Sequence, residues 1–127
     1  MRKRHRAYLA AAEPDHADRA LHEVRKAAKR LRYSAETAVP VLGAGAEGLS
    51  VRAKAVQQVL GEHQDTVVAR QVLRDLGVRA HLAGENGFTF GRLHALEEAH
   101  AAAATARYLE VYADLPAPSG LRSWLRR

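Results

Sequence analysis

Between His22 and Glu36 the chain reads His-Glu-Val-Arg-Lys-Ala-Ala-Lys-Arg-Leu-Arg-Tyr-Ser-Ala-Glu, and winding this run into a helix separates its charges from its apolar residues almost completely. At about 100° per residue, Leu21, Val24, Ala28, Leu31, Ala35 and Ala38 fall on one side, while His22, Arg25, Lys26, Lys29, Arg32, Tyr33 and Glu36 gather opposite. One face can pack and the other is free to meet anions. Like charges at i, i+3 and i+4, offset only by Glu23 and Glu36, destabilise an isolated helix by a few tenths of a kcal/mol per pair, a strain that a bound anion relieves.

The rest of the composition fits a helical reading. Of 127 residues, 47% are hydrophobic but only 6% aromatic, and much of the apolar content is alanine, which suits close-packed helices better than a sheet core. One domain, 1–127, is expected, with an all-α fold. A formal net charge of +6 points to a polyanionic partner. The chain has no cysteine, which excludes disulfides and thiolate metal sites, and no apolar run approaches the ~20 residues that a membrane span requires. With no export signal in the sequence, a cytoplasmic location is expected.

Breakers divide the chain. Residues 1–11 read as the tail of a longer helix. Pro14 and Asp15 open a long helix over about 15–42, with Pro40 fraying or kinking its last turn. The glycine-spaced stretch Gly43 to Gly48 reads as a loop, and Ser50 as the cap of a helix over about 50–76 that stops at Gly77. Gly61, inside that helix, marks a close crossing or a slight bend. A connection spans 77–91, a third long helix follows over about 90–115, and Pro116 and Pro118 end it. The tail, 119–127, can form one amphipathic turn that docks Leu121, Trp124 and Leu125. The expected architecture is an antiparallel bundle of long helices.

Two segments carry a family resemblance. Leu21-His-Glu-Val-Arg-Lys-Ala-Ala-Lys-Arg-Leu-Arg-Tyr-Ser-Ala-Glu36 and Leu60-Gly-Glu-His-Gln-Asp65 resemble, in order and spacing, the signatures of the CHAD domain, a helical domain named for its conserved histidines. The resemblance covers roughly residues 1–115. It implies two helical bundles, related by approximate twofold symmetry, around a basic surface that binds inorganic polyphosphate. A complete domain of that family is about twice this long, and the Lys-Arg-x-Arg-Tyr ending here resembles its carboxy-terminal half. The chain is therefore expected to be half of a CHAD-like double bundle, completed by another copy or by an amino-terminal half.

The polyphosphate-binding set expected from residues and resemblance together is His22, Arg25, Lys26, Lys29, Arg30, Arg32 and Tyr33, joined by His63, Arg70 and Arg74 on the next helix. Cations spaced ~5–6 Å apart along one helix face match a linear chain of phosphates, arginine gripping two oxygens and lysine acting as a compact charge. His63 also has an ordinary reading as a satisfied core residue, since it continues the stripe of Val56, Leu60 and Val67. Glu36 is expected to anchor Arg32 or Lys29, and Asp65 to orient an arginine or cap a helix. His94, Glu97, Glu98 and His100 come nearest to metal-ligand spacing, yet read as a hydrophilic surface, and neither metal nor cofactor is expected. No carboxylate cluster or nucleophile–base pair supports catalysis. Two alternatives remain: a helical nucleic-acid module, which the single aromatic Tyr33 on the basic face equips poorly for base stacking, and an accessory half of a phosphohydrolase.

Overall fold

A computed structural model describes residues 1–126 of the chain. Its elements are α1 (Arg2–Leu9), α2 (Pro14–Leu42), α3 (Ala44–Leu82), α4 (Phe88–Ala113), a 3₁₀ turn (Pro118–Gly120) and α5 (Leu121–Leu125). No strand occurs among the described residues, so the fold is all-α as expected. The long helix α3 is the spine: α2 packs along one side of it, α4 along another, and α1 returns against α2.

Local chemistry accounts for α2. Pro14 occupies the first helical turn, where its missing N–H costs nothing, and Asp15 sits where the helix dipole favours a carboxylate. Leu21, Val24, Ala28 and Ala35 of the apolar stripe are buried, with Ala27 beside them, while Leu31 and Ala38 are half-buried at its margins. Pro40 does not break the helix, which runs two residues further and closes as the Gly43 N–H donates to the Val39 carbonyl. The core joins this stripe to Val56, Val59 and Leu60 of α3 and Tyr108 of α4. Burying each such large side chain stabilises the fold by about 1.5–3 kcal/mol.

Helix α3 begins at Ala44 and ends at Leu82, where the sequence suggested about 50–76. The stretch 43–48 is not a loop, Ser50 is not a cap, and Gly77 is not a stop. Gly43 alone turns the chain, with φ 58° in the left-handed region that favours glycine. The other glycines of α3 keep helical backbone and instead face close neighbours. A Cβ on Gly45 would lie 2.6 Å from the Leu125 carbonyl oxygen, and one on Gly48 would lie 2.9 Å from the Trp124 ring, so this end of α3 is the seat of α5. Arg52 adds its guanidinium over the Trp124 ring at 5.2 Å. Leu121, Trp124 and Leu125 are half-buried there, as the amphipathic tail suggested. At the other end, Gly77 packs against Phe90 and Gly87, so the α3–α4 connection shortens to residues 83–87, and α4 starts at Phe88 and ends at Ala113.

Aromatic side chains close the bundle between α1 and α4. His5 stacks on Tyr112 with centroids 3.7 Å apart, and Tyr8 meets Tyr108 edge-on at 5.8 Å. Burial, helped by Arg2, holds His5 below its usual pKa, and burial pushes Tyr108 up. The phenol therefore keeps its proton, and its oxygen shares a hydrogen bond with Nδ1 of the neutral His5.

Candidate functional site

Side chains on the polar face of α2 meet α3 very differently along its length. Toward the carboxy-terminal end, Arg32 reaches three neighbours. Its Nη1 donates to Gln57 Oε1 at 3.0 Å, its Nε lies 3.1 Å from Glu36 Oε1 in an ionic contact off the hydrogen-bond axis, and its guanidinium sits 4.6 Å from the Tyr33 ring centroid. Glu36 also accepts from the buried Ser50 hydroxyl at 3.4 Å. Arg32, Glu36, Gln57 and Ser50 thus tie α2 to α3, with Glu36 anchoring Arg32. Lys29 reaches the other partner of that aromatic contact, its ammonium 5.9 Å from the Tyr33 centroid.

Two to three turns earlier the pattern reverses. His22 and Arg25 are half-buried, and both His22 Nδ1 and Arg25 Nε are enclosed with no hydrogen-bond partner. Arg25 lies across α3 at Gly61, where a Cβ would stand 3.5 Å from Nε and 3.7 Å from Nη2. Among the described residues, no carboxylate pairs with Arg25 or Lys29. Enclosed donors without partners are costly unless an acceptor arrives, and an anion supplies one with opposite charge. His22, Arg25 and Lys29 thus lack the cross-helix partners that Arg32 finds in Gln57 and Glu36, although Arg32 Nε also makes no hydrogen bond.

The remaining cations of α2 spread outward. Lys26 pairs with Glu23, which also lies 3.8 Å from Arg4 of α1, all three side chains being over two-fifths exposed. Arg30 is exposed and close enough to the amino terminus, with Arg4, to depress the pKa of the Met1 amine, whose largest influence is its own burial. Exposed cations thus run along α2 and onto Arg4 of α1, interspersed with Glu23, an extension that the periodicity of α2 alone does not reveal.

On α3, His63 and Arg70 do not join this segment. His63 is buried, its Nε2 3.3 Å from Asp18 Oδ1, and Arg70 Nη2 lies 3.3 Å from the other oxygen of the same carboxylate. Burial lowers the His63 pKa, Asp18 pulls it back up, and Arg70 lowers it further; the net direction is down, so His63 is neutral at pH 7 and donates to Asp18. Asp18 joins the start of α2 to the middle of α3, a partnership invisible in a one-dimensional reading because its members lie 45 and 52 positions apart. Arg74 is exposed and lines an open cleft with Asp15, Asp18, Arg19, Arg70 and Asp75, a mixed-charge surface.

The α4 side is a network of exposed or half-exposed pairs. Arg107 bridges to Glu62 at 2.6 Å, His94 Nδ1 to Glu98 at 3.1 Å and His100 to Glu97 at 3.6 Å. Asp65 is exposed and lines a cleft with Glu62 and Arg107. No group of three or more His, Cys, Asp or Glu able to hold a metal ion occurs among the described residues, and no described helix is long and apolar enough to cross a membrane.

Known proteins supply an independent comparison. Over 82 residues, 65% of this chain, it is 46% identical to two Mycobacterium tuberculosis proteins, uncharacterized protein MT2285 of strain CDC 1551 and uncharacterized protein Rv2226 of strain H37Rv. The matched region spans 15% of the length of those relatives. No solved structure matches the chain significantly. The sequence profile of the CHAD domain matches residues 1–74, more than half of the chain and the part that holds α1, α2 and the α2-facing length of α3. With the basic helix, its partner helix and that match together, the chain belongs to the CHAD domain family.

Proposed function

We propose that this chain is a non-catalytic, cytoplasmic binder of inorganic polyphosphate, gripping the polymer along the polar face of α2 with His22, Arg25 and Lys29 and drawing it in with Lys26 and Arg30. The observation that carries this reading is the pair of enclosed, partnerless nitrogens His22 Nδ1 and Arg25 Nε, the latter a charged donor, on a face where Lys29 pairs with no carboxylate among the described residues. A phosphate oxygen satisfies both the hydrogen-bonding deficit and the charge. A polymer repeats that offer at intervals commensurate with helical side-chain spacing. Family membership supports the ligand class, since CHAD domains as a family are associated with polyphosphate.

Nucleic acid is the less favoured ligand. Tyr33, the aromatic of this face, already has Arg32 over its ring, which reduces its value as a platform for a base. A second helical unit, another copy or an amino-terminal half, completes the basic surface in this reading.

Competition decides the ligand. Long-chain polyphosphate is expected to displace labelled single-stranded and duplex DNA at matched charge, with affinity falling steeply as salt rises. Preferential retention of DNA, or absence of polyphosphate binding, overturns the reading, and release of phosphate by the purified chain with magnesium or manganese overturns its non-catalytic part. Light scattering with and without the polymer tests the second unit: self-association points to another copy, and a strict monomer that binds tightly overturns the need for one.

A further inference from the structure

Every glycine inside α3 has a neighbour within 4 Å of where its β-carbon would stand. For Gly45 and Gly48 it is the docked tail, and for Gly77 it is Phe90 of α4. For Gly61, the atoms within 4 Å of an added Cβ belong to one residue, Arg25. Gly61 does not use the backbone freedom of glycine, because its φ is not positive, and it sits in the interior of a long helix where glycine is unfavourable relative to alanine. No turn, bend in φ or backbone approach accounts for it. What remains is the space that the Arg25 guanidinium occupies.

We propose that Gly61 is a positioning residue for the anion site. By carrying no side chain it lets Arg25 lie flat across α3, and this sets where along α2 the guanidinium meets a phosphate. Arg25 is a long, flexible side chain, and without a partner for its Nε it has no hydrogen bond at that atom to fix it. The floor at Gly61 restricts its rotamers instead. At 3.5 Å an alanine methyl is in ordinary contact and leaves Arg25 in place. A branched or long side chain needs the volume the guanidinium fills and drives Arg25 outward, away from His22. The inference rests on the polyphosphate reading for its ligand but not for its geometry.

The test compares Gly61→Ala and Gly61→Leu with Arg25→Gln in the full chain, using long-chain polyphosphate as the probe and the ¹⁵N-labelled Arg25 Nε–H resonance as a ligand-free readout. Gly61→Ala is expected to keep the parent affinity and resonance. Gly61→Leu is expected to move the resonance and weaken binding roughly tenfold, about as much as Arg25→Gln, as befits one displaced charge-assisted contact. Its melting temperature should not fall below the parent's, since leucine is the better helix former. The Gly61→Leu, Arg25→Gln double variant should bind no more weakly than Arg25→Gln alone. An unmoved resonance in Gly61→Leu overturns the proposal, as does a moved resonance with unchanged affinity, or additive losses in the double variant. If the parent itself fails to bind polyphosphate, the ligand reading falls, while the resonance still decides whether Gly61 sets the position of Arg25.

Discussion

Two stretches of one helix face use the same residue types for opposite ends. Around Arg32 the guanidinium meets Glu36, Gln57 and the Tyr33 ring, and the result is a strut between α2 and α3. Around Arg25 the neighbour across the seam is a bare glycine and no carboxylate pairs with it, and Arg25 Nε and His22 Nδ1 are enclosed without a partner. A cation on a helix becomes structural or ligand-directed according to what the facing helix offers it. The contrast also explains how a face dense in like charges holds together, because the strut end anchors what the open end repels.

The contrast breaks most visibly if both ends respond alike to neutralisation. Replacing His22, Arg25 and Lys29 together by asparagine, glutamine and glutamine is expected to weaken polyphosphate binding at least about a hundredfold by titration while leaving the thermal midpoint unchanged or raised, since like-charge repulsion along the helix is removed. Equal binding by that variant would erase the distinction. Arg32→Ala should do the reverse. Urea unfolding is expected to show a loss of about 1–2 kcal/mol, from orphaning Glu36 and Gln57, with a smaller effect on affinity than the triple variant.

A third outcome sharpens the boundary with the Asp18 cluster. His63 titrates below the ordinary histidine value because burial outweighs Asp18, so the unfolded chain takes up its proton first as the pH drops. Stability contributed by neutral His63 is therefore complete above about pH 7 and is lost as the pH falls through the ordinary histidine range of about 6.5 toward the lower folded value. Chemical unfolding between pH 7.5 and pH 5.5 should show this decline, and His63→Gln should flatten it, with a residual slope from His5, which is lowered in the same direction. The smallest effect belongs to the exposed Lys26–Glu23 pair, where Lys26→Ala should leave the urea midpoint essentially unchanged.

Periodicity alone disclosed the all-α class, the apolar stripe of α2 and its basic counterpart, because helical phase is a local property. Helix ends were less legible. Gly43 does turn the chain, but Gly45, Gly48 and Gly77 look identical to turn signals in one dimension and are in fact contact surfaces, their meaning fixed by Leu125, Trp124 and Phe90 far along the sequence. The site was legible in membership and not in rank. Nothing in the spacing of Arg25 and Arg32 says that one will meet Gly61 and the other Gln57, since that depends on the register of α2 against α3. For the same reason helical phase does not reveal that Asp18 anchors His63 and Arg70. A seam analysis pairing α2 and α3 in antiparallel register could have found Gln57 opposite Arg32.

Trp124 is the one tryptophan in the chain, and it rests on Gly48 beneath Arg52 rather than inside the bundle. Its emission consequently reports whether the carboxy-terminal clasp is shut, whereas far-ultraviolet circular dichroism reports the long rods. Melting curves from the two optical signals need not coincide, and a gap between them would measure how independently the clasp opens.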